Sequence, residues 1–166
     1  MHVTYIPADL FWLIKINDIN KRGECYRNAG NLVLYSSFDN PISQLLKDES
    51  WEVSYSLGIL TPPPVSADFR IPYDSKLEPH AWIEAKDKDG KIHYWDPTLQ
   101  GNSAVWGLRG REFAYEKHYS MNVHILKAWI KDNYNETVGY ENDLPVKGYR
   151  FPIIDLAGSI SAPSIG

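Results

Sequence analysis

HAWIEAK (80–86) and KIHYWDPT (91–98) constrain this 166-residue chain more than any other stretch. Both runs are rich in β-branched and aromatic residues, and only DKDG (87–90) separates them. That spacing predicts an antiparallel hairpin, with Gly90 supplying the left-handed residue of the turn. If Lys88, Asp89 and Gly90 form the loop, Asp87 faces Lys91 and His80 lies opposite Thr98. Asp96 then sits one diagonal step from His80 on the same face, where side chains reach each other. A slip of one residue would send the two to opposite faces.

The rest of the chain reads as one domain, residues 1–166. Residues 4–16 are apolar and fit a helix or strand that covers a core. NDINKRGE (17–24) reads as a loop. After it, apolar residues at 26, 29, 32 and 33 predict an amphipathic helix that starts near Cys25, with Gly30 a weak point. DNPISQLLKDES (39–50) predicts a second helix, with Asn40 as cap and Pro41 at the first position. WEVSYSLGIL (51–60) alternates as a strand does. Residues 61–79 hold five prolines and read as a long loop, a kind that is often functional. Residues 99–112 are loop-like, and EFAYEKHYS (112–120) is ambiguous. Residues 121–134 predict a helix capped by Ser120. The tail from Asn135 is irregular, and its last nine residues are expected to be disordered or paired at an edge.

Composition excludes several classes. The net charge is −4 and no Lys/Arg-rich stripe occurs, so no nucleic-acid partner is expected. No apolar run approaches the ~18 residues that span a bilayer. The apolar stretch Leu10–Ile16 lacks the basic flank and cleavage site of a signal peptide. One cysteine cannot form an internal disulfide, so a cytoplasmic location is the simpler expectation.

That cysteine, Cys25, is either a small buried hydrophobe or a nucleophile. A nucleophile must ionise, although an ordinary thiol titrates near ~8.5. A helix N-terminus stabilises the anion, and a nearby imidazole accepts the proton. A carboxylate on the other ring nitrogen then holds the imidazole in one tautomer. Cys25, His80 and Asp96 supply these three groups. The same three are also zinc-ligand types, but their helix–strand–strand order fits the triad better. His93 falls on the face opposite Asp96. His118 and His124 are not at ligand spacing on one helical face. The acids of GYENDLP (139–145) read as a solvated loop. No phosphate-cradling or dinucleotide motif occurs, and nothing requires calcium or another cofactor.

GEC (23–25) at a helix start, HAWIE (80–84) on a strand and DPT (96–98) after the next strand resemble the transglutaminase-like superfamily. The resemblance covers about residues 17–100 and leaves 101–166 an unassigned extension. It implies an α+β fold with a papain-like core, in which a helix bearing Cys25 packs on an antiparallel sheet bearing His80 and Asp96. It implies Cys25 as nucleophile, His80 as base and acid, and Asp96 as the orienter of His80. The oxyanion would be held by the Cys25 N–H and a second donor, with Asn17, Asn20 and Tyr5 upstream as candidates. Trp82 would shield the site or pack beneath it, Pro97 would end the strand, and Thr98 would bond backbone. The implied reaction is acyl transfer on an amide or peptide bond through a thioester. Hydrolysis by a protease, amidase or deamidase is the first expectation, on a protein or peptide substrate. Transfer to an amine, or an inactive protein-binding module of the same fold, are the alternatives.

Overall fold

In the computed structural model of the chain, which describes residues 1–62, 77–102 and 113–163, the hairpin forms in the expected register. Strand β2 (Glu78–Lys86) pairs with β3 (Ile92–Trp95), with Lys86 opposite Ile92 and Ile83 opposite Trp95. Asp87 N donates to Lys91 O at 2.9 Å, and Gly90 takes φ +82°. The ladder stops earlier than DPT. Pro97 has no N–H to continue it, and Asp96 N donates instead to Gln100 Oε1 at 2.7 Å. Residues Pro97–Gln100 turn into a short helix, α4, and Asp96 is its N-cap. Thr98 therefore lies on a helix and not on a strand opposite His80.

The described residues hold an α+β fold. The helices α1 (Ala8–Ile16), α2 (Cys25–Tyr35) and α3 (Pro41–Asp48) precede strand β1 (Glu52–Thr61). Asn40 caps α3 as expected: its side chain accepts from Ser43 N at 2.9 Å, and Ser43 Oγ accepts from Asn40 N. This reciprocal box satisfies donors that a helix start leaves without partners. The ambiguous segment is strand β4 (Ala114–Met121). The sheet is antiparallel in the order β3-β2-β1-β4. Helix α5 (Val123–Tyr134) follows, and its cap is Asn122, whose side chain accepts from Ile125 N. Ser120, the expected cap, lies within β4, because the strand runs on to Met121. In the tail, β5 (Ile153–Ile154) pairs with β6 (Ile160–Ser161). Most of the proline-rich loop (63–76), the Gly-rich stretch 103–112 and the end of the tail (164–166) lie outside the described residues.

Alternation along the strands divides the core. Ala81, Ile83 and Ala85 point to the helices and join Leu10, Leu32 and Phe151 in the main cluster. Trp82, Tyr94, Leu60 and Tyr115 form a second cluster on the other face, with Val3 and Leu99. Gly30 in α2 has a packing reason: a Cβ there would overlap the buried Phe151 ring. The segment before α1 ties the sheet's two edges together over the second cluster. Thr4 N donates to Tyr94 O of β3 at 3.0 Å, and Tyr115 N of β4 donates to Met1 O at 2.7 Å. Edge strands left open invite pairing with other chains, and here the same chain occupies both. No described helix is long and apolar enough to cross a membrane.

Candidate active site

Cys25 is the first residue of α2 and is half-buried. Its N–H is one of the first-turn donors that a helix leaves without an internal partner. Asn28, one turn on and fully buried, fixes the loop before Cys25. Its Oδ1 accepts from Lys21 N at 3.0 Å, and its Nδ2 donates to Lys21 O at 2.7 Å and to Thr98 Oγ1 at 2.8 Å. Asn102 Nδ2 adds bonds to Asn20 O and Thr98 O, at 2.8 and 2.7 Å. The cysteine-bearing helix is thereby stitched to the turn that carries Asp96.

The structure brings Cys25, His80 and Asp96 together. His80 Nε2 meets Asp96 Oδ2 at 2.7 Å, and Cys25 lies near enough to act on the ring electrostatically. With Nε2 engaged by the carboxylate, Nδ1 is the nitrogen left for sulfur. Trp82 is fully buried and stacks beside the imidazole, centroids 6.4 Å apart and planes 19° apart. His80 itself is 6% exposed and Asp96 0%. An isolated buried charge is costly, and the carboxylate avoids that cost through four donors. Oδ1 accepts from Thr98 N and Leu99 N at 3.1 and 3.0 Å. Oδ2 accepts from His80 and from Tyr115 OH at 2.6 Å.

These contacts set the protonation states. Burial pulls the His80 pKa down, but the Asp96 charge and then Cys25 outweigh it and hold the imidazole well above its ordinary value. Burial pushes Asp96 up, but His80, the Tyr115 hydroxyl and the Leu99 N–H together hold it below the usual carboxylate range. Burial, with the Asp96 charge, raises Tyr115 well above a normal phenol, so it stays protonated. Tyr26, beside Cys25, is pushed up to about 12 by burial and by the cysteine.

The upstream oxyanion candidates are placed as follows. Asn17 Nδ2 donates to Leu13 O at 2.8 Å, at the end of its own helix. Asn20 Nδ2 makes a long bond, 3.4 Å, to Gly101 O. Tyr5 is 76% exposed on the segment before α1. Thr98 bonds the Asn28 side chain through its hydroxyl. His93 bonds Asp87 Oδ2 at 3.0 Å and packs edge-on to Trp51, away from the cluster. The acid of GYENDLP that has a clear task, Asp143, accepts from Gly139 N and Tyr140 N and so shapes its own turn. Among the described residues, no group of three or more His, Cys, Asp or Glu side chains could hold a metal ion.

Sequence reasoning missed Tyr115 and Asn28. Asn28 carried a weak signal, a polar residue amid the small and apolar positions of α2. Tyr115 carried one only if 113–121 is read as a strand, since Phe113 and Tyr115 then share a face. Comparisons of the chain with protein-family models, with curated proteins and with solved structures return no match.

Proposed function

We propose that this chain is a transglutaminase-like cysteine enzyme with a papain-like core, which cleaves an amide or peptide bond through a thioester. The observation that carries the reading is the His80 ring, bonded to the buried Asp96 carboxylate through Nε2 and near enough to Cys25, at the head of α2, for the cysteine to act on it. Cys25 Sγ attacks the amide carbonyl, a C–S bond forms, and the carbonyl electrons move to oxygen. The Cys25 N–H, at the positive end of α2, lies beside the reacting sulfur and stabilises that oxyanion. The oxyanion collapses, the C–N bond breaks, and His80 gives its proton to the leaving amine. His80 then takes a proton from water, which attacks the thioester and expels the thiolate. An amine in place of that water would make the same chain a transferase. The substrate class is a protein or peptide, and a reducing compartment such as the cytoplasm suits an enzyme whose sole thiol is the nucleophile.

Alkylation of Cys25 by iodoacetamide, followed against pH in wild type and His80→Ala, tests this reading. An ordinary thiol is only about 1% ionised at pH 6.5. Because the imidazole is held well above its usual pKa, it carries its positive charge near the sulfur at that pH. Wild type is expected to react at least tenfold faster than His80→Ala at that pH, roughly the effect of one lost charged partner. The advantage disappears as pH rises through the raised His80 pKa, where the imidazole loses its proton. Equal rates in both proteins, or no reaction before denaturation, would end the catalytic reading.

A further inference from the structure

We propose that Tyr115 is a positioning residue of this site: its hydroxyl holds Asp96 in the orientation that faces His80 and shares the oxygen on which His80 depends. The inference rests on the acyl-transfer reading for its consequence in turnover, but its geometry stands alone. Tyr115 OH and His80 Nε2 converge on one oxygen, Asp96 Oδ2, at 2.6 and 2.7 Å. The other oxygen is held by two backbone N–H groups of α4. The carboxylate therefore cannot rotate without losing donors on both sides. Tyr115 is itself held firmly. It is 3% exposed, its ring lies 5.0 Å from Trp82 and 6.2 Å from Tyr94, and its N–H donates to Met1 O. A neutral donor on a buried carboxylate also tempers its basicity, because part of the charge is already satisfied.

The charged groups that act on His80 are Asp96, at the head of α4, and Cys25, on α2. From β1, Gly58 stands opposite His80 and brings no charge. From β4, Tyr115 is neutral and Lys117 is paired with Glu84 of β2 at 3.0 Å. Removing the phenol hydroxyl therefore acts on His80 through Asp96. With one donor fewer, the carboxylate is less well satisfied when the imidazole is neutral, so the imidazolium is favoured.

Tyr115→Phe keeps the ring and deletes the bond. The titration midpoint of His80, read by NMR of ring-labelled histidine, is expected to rise by about one pH unit, in line with a hydrogen bond to a charged group. Turnover of an amide substrate is expected to fall about tenfold, because His80 becomes less ready to release its proton. The alkaline limb of its pH profile should move up with the midpoint. Tyr94→Phe, which removes a hydroxyl from the same cluster but none from Asp96, should leave the midpoint in place. If Tyr115→Phe does not fold, 3-fluorotyrosine at position 115, a stronger donor, should drive the midpoint down instead. An unchanged midpoint in the variant overturns the inference. A wild type with no thiol-dependent turnover overturns the acyl-transfer reading, while the NMR midpoint still decides the role of Tyr115.

Discussion

Cys25→Ala should abolish turnover, by about 10⁴-fold or more against a panel of peptide amides, and leave the fold standing. The loss is large because no other group can take the role: the chain has a single cysteine, and His80 and Asp96 have no bond-forming partner without it. The fold should survive because Cys25 is only half-buried at the first position of α2, where alanine is a good helix former. Cys25→Ser should be nearly as inactive, since a hydroxyl beside an imidazolium stays protonated. Running the panel with and without an added primary amine separates hydrolysis from amine transfer in the same experiment. Turnover that persists in Cys25→Ala, with circular dichroism and melting unchanged, would show that the cysteine is not the nucleophile. Retained binding of a partner protein, without any turnover in wild type, would favour a binding module on this fold.

What the residues reveal in advance follows from how local each signal is. Alternation and a DKDG turn specify a hairpin and its register within some twenty residues, and the register alone puts His80 and Asp96 on one face. The start of α2 at Cys25 is equally local, marked by the polar loop before it and the apolar spacing after it. The conversion of DPT into a helix was half visible, since Pro97 suits a first helical position and Asp96 a cap, but the strand pattern running into it hid the change. Tyr115 was invisible for another reason. It lies in sequence 19 residues beyond Asp96, across a segment with no periodicity, and only the pairing of β4 with β1 brings it back. That pairing is a long-range choice, made by the second cluster and by the N-terminal segment that bonds Tyr115, and no window of sequence contains it. Ser120 is not the cap because strand and cap residues overlap there: Ser120 pairs with Ser56, β4 runs on to Met121 opposite Tyr55, and Asn122 is the next residue that can turn the chain.

Gly58→Ala should be among the most destabilising single-atom additions in the molecule, and it tests whether the sheet itself holds the site. Gly58 pairs with His80 on one side and Lys117 on the other, where β4 slips register. A Cβ there would overlap the Glu116 carbonyl oxygen and come within 2.6 Å of Trp82 Cη2. The first neighbour is backbone in a strand ladder and the second is a fully buried indole, so neither retreats cheaply. Relief requires β4 to move off β1, and Tyr115, next to Glu116, moves with it, away from Asp96. The expected cost is about 3 kcal/mol, or roughly 10 °C in Tm for a domain of this size. Gly90→Ala makes the comparison sharp. Gly90 has φ +82° with open space around it, so alanine there meets backbone strain alone, about 1 kcal/mol, and lies at the far end of the hairpin from His80. Thermal melts of both variants, with His80 titrations, read the two effects apart. Gly58→Ala should lower Tm more and also disturb the His80 midpoint, while Gly90→Ala should lower Tm modestly and leave the midpoint alone. If Gly58→Ala melts with wild type, β4 does not press on β1 as described, and the route by which the sheet delivers Tyr115 to Asp96 must be different.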